Sequence, residues 1–485
     1  MQVDVPKGEL FGHPKGLFLL FTTEMWERFS YYAMRAILVL YLTDTAQGLK
    51  WSNADAISLY GTFTMLVYLT PLIGGWLADN VIGQRKSILI GGTLMAAGQF
   101  TLGLPHAWVP GMEETFFYIG LALLIAGNGL FKPNISTMVG DLYSEGDHRR
   151  DGAFTIFYMG INLGAWASAI VVGSIVAAYG GNWQTGFICA GLGMVASLII
   201  QLVYAKKFLG EIGVEPSAKV SKQNQADSSI KEPLTKEEFD RIKVIMILGV
   251  FTIIFWAGFE QAGGLMNIYT NQFTDRSIDM FNGWEVPTTW FQSLNPMFIV
   301  IFAPVFAALW IKMGPKEPNS PVKFALGLFL LGVGFLFMIG AVLEQAGDPN
   351  IKTSMLWLVG AYFFHTMGEL CLSPIGLSMV TKLAPLRLVS LLMGVWFFYT
   401  GLANYVAGFV GSLVGGGHGG NSEADMINNA ISIFSGIAIT TTVSAIILYF
   451  MADKLVYWMH GAEGDALHDK DSDEVVREEL SGTAN

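Results

Sequence analysis

Apolar runs near or above 20 residues recur along almost the whole chain, at about 16–42, 53–79, 86–104, 115–140, 152–178, 184–206, 241–269, 288–312, 322–344, 353–381, 387–414 and 428–456. Each is long enough to cross a hydrocarbon core of about 30 Å. Inside that core only helices and closed barrels satisfy the backbone, and runs of this length are helical. The expected fold is therefore an all-α polytopic membrane protein with twelve transmembrane helices. Composition agrees: 52% of residues are hydrophobic and 14% charged, whereas a soluble domain carries about a quarter charged residues. The 485 residues would otherwise suggest about three soluble domains.

Basic residues set the orientation, because Lys and Arg collect on the cytoplasmic side. With both termini cytoplasmic, 22 of the 28 Lys and Arg face that compartment, and only Lys50, Arg276 and Lys352 fall in outer loops. Residues 1–15 lack a basic stretch leading into a short apolar one, so no cleaved signal peptide is expected. Cys189 and Cys371 both fall in spans and read as small core residues, with no disulfide framework and no metal pair. No Gly-x-Ser-x-Gly occurs and no span contains His-x-x-x-His, so nothing points to an intramembrane enzyme. No cofactor, metal or nucleic-acid partner is expected.

The longest polar interruption divides the chain. It separates an N-terminal six-helix bundle (1–205) from a C-terminal one (241–458) through a linker at 206–240, and an acidic tail, read as disordered, follows at 459–485. Two six-helix halves suggest the major-facilitator arrangement, in which the halves rock about a central site. Between spans 2 and 3, Gly75-x-x-x-Asp79-x-x-x-Gly83-x-Arg85-Lys86 resembles the cytoplasmic loop motif of that superfamily. There Gly83 permits a tight turn and Arg85 is expected to find a carboxylate.

Ionisable residues inside a span each cost about 2.5–3.5 kcal/mol on the insertion scale and are rarely kept without a role. The first span carries Glu24, Glu27, Arg28 and Arg35. With Tyr31 these positions lie on one helical face, which must look into a polar cavity rather than at lipid. Lys132, Glu260 and Glu369 sit deep in other spans, with Pro133 and Pro374 nearby to free backbone carbonyls. Four carboxylates against three cations leave one excess negative charge, which one added proton would neutralise. His365, one turn before Glu369 on the same face, is placed to tune or relay its proton, with packing against a hydrogen-bond partner the preferred reading.

The string Glu24-x-x-Glu27-Arg28-Phe29-x-Tyr31-Tyr32 resembles the first-helix signature of the proton-dependent oligopeptide transporters. Phe157-Tyr158-x-x-Ile161-Asn162-x-Gly164 is similar to their fifth-helix pattern. Trp256–Gln261 and Gly368-Glu369-x-x-x-Ser373-Pro374 resemble the seventh- and tenth-helix patterns. The likeness runs from span 1 to span 12. It implies proton-coupled symport of di- and tripeptides by alternating access, with the proton gradient as energy source, in a monomer of the bacterial inner membrane.

The resemblance also implies roles. Arg35, Lys132 and Asn162 would hold the peptide's C-terminal carboxylate and backbone, and Glu369 with Asn295 the N-terminal ammonium. Tyr31, Tyr32, Tyr68, Trp256 and Trp396, with Ser373, would complete the substrate site. Glu260 would carry the proton and pair with Arg35. Glu24, Glu27 and Arg28 would form a second relay with Lys132. The chain departs from some members: its linker is too polar for two extra helices, its outer loop at 345–352 is too short for an added domain, and Gly61 stands where animal members place a histidine. A relative carrying nitrate or another small organic anion with protons is the alternative, although such a carrier has no need of Glu369.

Overall fold

The computed structural model describes residues 8–462 except 145, 146, 148, 217–232, 346, 386, 387 and 416–422. Its helices are α1 (Lys15–Thr43), α2 (Asn53–Leu77), α3 (Gln84–Leu102), α4 (Glu113–Asp141), α5 (Arg149–Ala178), α6 (Trp183–Leu209), α7 (Lys236–Phe259), α8 (Leu265–Phe273), α9 (Leu294–Met313), α10 (Ser320–Glu344), α11 (Leu356–Leu383), α12 (Val389–Ser412) and α13 (Glu423–Trp458). All but α8 are long. Nine helical stretches of the described residues are long and apolar enough to cross a membrane by length and composition. The first helix falls short of that test because Glu24, Glu27, Arg28 and Arg35 interrupt it. The acidic tail from residue 463 onward and the middle of the linker lie outside the described residues.

Local chemistry starts the helices where the chain turns. Ser52 accepts from the Asp55 N–H at 3.1 Å, Asn182 caps α6 and Asn319 caps α10. Thr235 and Glu238 cap α7 reciprocally, at 3.0 and 3.1 Å, the capping box that closes two orphan donors. The seventh apolar run, expected as one helix, is instead broken. Its α-helix ends at Phe259, a 3-10 turn covers Glu260–Ala262, and α8 follows after Gly263-Gly264. The two glycines favour that break over a continued helix.

In the first half α1 packs on α5 and α6, α3 on α4 and α6, and α2 on α4. In the second, α10 packs on α11 and α13, and α7 on α12 and α13. The halves meet where α2 packs along α12 and α5 along α9. The start of α1 meets the end of α6, since a Cβ on Gly16 would stand 2.9 Å from the Phe208 carbonyl. Arg241 near the start of α7 donates to the Met459 and His460 carbonyls at 3.1 Å, just past the end of α13. The bundle therefore begins and ends at its linker end.

At that end the loop motif folds as its residues suggest, with one difference. Gly83 has φ +82°, the left-handed region that suits glycine, and Asp79 lies in the π-helical turn Ala78–Ile82. Arg85 donates not to a carboxylate but to the Gly210 carbonyl at 2.5 Å, and its N–H to the Gly213 carbonyl at 2.8 Å. Both carbonyls lie just past the end of α6 at Leu209, and the negative end of that helix draws the guanidinium there.

A central cavity with charge at both ends

Between the halves lies a cavity of about 260 Å³. Arg35 on α1, Tyr68 on α2 and Asn162 on α5 reach it from the first half. Trp256 on α7, Asn295 on α9, Glu369 and Ser373 on α11 and Trp396 on α12 reach it from the second. Tyr32 completes the sequence-selected residues in the wall. The cation and the carboxylate thus enter one space from opposite halves.

Arg35 is held in two directions. Its Nη2 forms an ion pair with Glu260 in the break between α7 and α8, and its Nε donates to the Tyr60 hydroxyl. The guanidinium also lies 5.8 Å from the centroid of the Tyr32 ring. Glu369 is fixed by Asn295, whose Nδ2 donates to Oε2 at 2.7 Å and to Thr366 Oγ1 at 3.1 Å. Asn162 donates to the carbonyl of Tyr158 at 3.0 Å.

A second charge cluster lies within the first half. Arg28 Nε approaches Glu24 Oε1 at 3.0 Å, its Nη2 donates to Glu27 Oε1 at 2.8 Å, and Asn128 donates to the same oxygen at 3.4 Å. All three charged side chains are buried. Glu24 Oε2 finds no hydrogen-bond partner among the described residues. Lys132 is not ion-paired there; its Nζ sits 4.4 Å above the Tyr68 ring, a cation–π contact. Arg28 already occupies the carboxylates, which leaves Lys132 to the aromatic face. Lys132 and Tyr31 lie outside the cavity wall, and Arg28 stands 5.3 Å from the Tyr31 ring.

The wall also contains residues the sequence reading did not select: Tyr158, Gln292, Tyr362 and His365. Tyr158 sits in the fifth-helix motif, and Gln292 and His365 each lie about one turn before a selected residue, so spacing carried a signal for them. Tyr60, which partners Arg35, had no charged neighbour in sequence to mark it.

The family model described as the POT family matches residues 85–224 and 215–421. An uncharacterized transporter of Bacillus subtilis is 37% identical over 455 residues, covering 84% of this chain and 90% of its own. The chain belongs to the POT family. Other POT relatives include a peptide transporter of Yersinia enterocolitica, 33% identical and covering 94% of this chain and 97% of its own. A di-/tripeptide transporter of Lactococcus lactis is 35% identical, covering 80% and 87%. A crystal structure of a POT peptide transporter in complex with alafosfalin superposes with a TM-score of 0.83 at 34% identity, over 94% of this chain and 98% of that one. A POT family transporter in complex with 5-aminolevulinic acid gives 0.81 at 30% identity, over 93% and 99%. These matches make the chain a multi-pass membrane transporter of the major-facilitator type.

Proposed function

We propose that this POT protein carries di- and tripeptides into the cell together with protons, by alternating access. The observation that carries the reading is the pairing of Arg35 and Glu369 across one cavity of about 260 Å³. A short peptide is a zwitterion, and fixed charges of opposite sign read its two ends whatever its side chains. Ligand pockets span about 300–1,000 Å³, so this one suits small cargo. Aromatic walls from Tyr32, Tyr68, Trp256 and Trp396 accept side chains of many shapes.

Coupling follows from the ion pair. While Glu260 is ionised it holds Arg35 and ties α1 to the α7–α8 break. A proton on Glu260 removes the charge-assisted bond, releases the guanidinium for the substrate's carboxylate and unties the two halves. Ser373 and Asn162 would complete the carboxylate and backbone contacts, and Lys132, outside the wall over the Tyr68 ring, would join them only by leaving that ring. The Glu24, Glu27 and Arg28 cluster would serve as the second proton station, with Glu24 Oε2 as its open acceptor. No bound cofactor enters this cycle; the proton gradient drives it. We place the protein as a monomer in a bacterial inner membrane, twelve spans with both termini cytoplasmic, as the basic residues of its loops favour.

The test is uptake of labelled dialanine by liposomes holding the purified protein, with and without an inward proton gradient. Gradient-dependent accumulation, competed by di- and tripeptides but not by nitrate, is the expected result. No peptide accumulation, with nitrate or another anion taken up instead, would replace the peptide reading by the anion one. Acetylating a peptide's N-terminus should weaken its competition strongly in wild type and much less in Glu369→Gln. Equal weakening in both proteins would remove Glu369 from the ammonium site.

A further inference from the structure

One ring in the cavity wall has no part in that cycle. His365 lies on α11 one turn before Glu369, is 1% exposed, and lines the cavity. Its Nε2 is buried without a hydrogen-bond partner among the described residues. The Cδ2–Nε2 edge is pressed against α10: a Cβ on Gly334 would collide with Cδ2 and stand 2.6 Å from Nε2. Phe335 packs on the ring at 4.7 Å between centroids, and Phe259 lies at 6.4 Å. The imidazole therefore sits in an apolar slot with its Nδ1 edge turned away from α10.

A buried polar atom left without a partner costs about 1–3 kcal/mol, and such atoms are rare enough that each calls for a reason. Leu or Phe would fill the same slot without that penalty. A neutral imidazole carries one N–H and one acceptor nitrogen. On the α10 side nothing accepts a proton from Nε2, so the N–H is best placed on Nδ1, where a ligand can meet it.

We propose that His365 reads the side chain of the substrate's N-terminal residue, donating from Nδ1 to an uncharged side-chain oxygen of Ser, Thr, Asn or Gln. The proposal rests on the peptide reading above and deepens it. Glu369, fixed by Asn295, would hold the ammonium. His365 stands one turn away on the same helix face, about 6 Å along the axis, within reach of the first side chain of a peptide whose ammonium Glu369 holds. An acidic side chain there would meet Glu369 and be repelled. An apolar one would leave the ring unpartnered, and a site built to hydrogen-bond a group discriminates against the analogue lacking it.

The experiment is competition against labelled dialanine uptake in proteoliposomes by two pairs of peptides, Asn-Ala with Leu-Ala and Ala-Asn with Ala-Leu. In wild type Asn-Ala should compete about tenfold better than Leu-Ala, the worth of one good hydrogen bond, while the second pair differs by less than about twofold. In His365→Phe, which keeps an aromatic ring against Phe335, the first ratio should fall to about one. His365→Gln, which restores an amide donor, should regain part of it. The ratio is read within each protein and does not depend on how much of a variant assembles. Equal ratios for the two pairs in wild type, or a first ratio that survives His365→Phe, would overturn the assignment and leave peptide transport intact. Absence of any dialanine uptake by wild type would overturn both.

Discussion

Arg28 and Arg35 stand two turns apart on one helix, yet their ion pairs are of different kinds. Arg28 pairs with Glu24 and Glu27, both on α1 itself, so that cluster moves as a rigid unit whatever the halves do. Arg35 pairs with Glu260 from the other half, so its bond exists only while the halves are together at that point. A pair within a helix can store charge; a pair between halves can also report and control their separation. The same residue types thus do structural work in one place and conformational work in the other.

The largest effect should come from breaking the first cluster. Arg28→Met leaves two buried carboxylates without their cation, and removing one partner of a buried pair costs about 3–5 kcal/mol. The folded yield in detergent and the melting temperature should both fall sharply. A normal melting curve would mean that Lys132 takes over the pairing. Glu260→Gln should be milder on folding, because an amide oxygen still accepts from Arg35. Gradient-driven uptake should drop by at least about a hundredfold, a barrier change near 2.7 kcal/mol, while counterflow exchange continues. Equal loss of both would move Glu260 from coupling to substrate binding.

The smallest effect tests the contact that keeps the Arg35 region closed. A Cβ on Gly408 would lie 2.6 Å from the Cα of Gly61, where α2 crosses α12. Gly408→Ala overpacks that crossing by about 1–3 kcal/mol and should favour the form in which this end is apart. An Ile57→Cys probe nearby should then react with an impermeant maleimide about tenfold faster. Unchanged labelling would show that the crossing yields without opening.

Much of this was legible in the residues. The spacing of Glu24, Glu27, Arg28, Tyr31 and Arg35 announced a polar helix face, and the broad spans and the two halves followed from apolar run length and the linker. What spacing could not tell was which neighbour each residue would meet. Lys132 shares a face with Asn128, but only helix packing shows it over Tyr68 rather than between carboxylates. Arg85 meets carbonyls because α6 happens to end beside it, a fact of tertiary placement. Tyr60 and Tyr362 are ordinary apolar-run tyrosines until α1 and α7 bring Arg35 and the cavity to them. His365 read as packing; half of its ring does pack, and the unpartnered nitrogen becomes visible only once α10 is in place.

Five hydrogen bonds join the halves among the described residues: Arg35 to Glu260, Asn53 to Met426, Asn267 to the Ala36 carbonyl, Thr289 to the Ala169 carbonyl and Trp290 to the Ile170 carbonyl. All lie toward the end away from the linker. The outer end can open only when all five are broken, each worth roughly 1 kcal/mol. An empty carrier must break them on its return, with no cargo contacts to offset the loss. That requirement is also a safeguard, since a carrier that opens more readily when loaded lets fewer protons slip through without cargo.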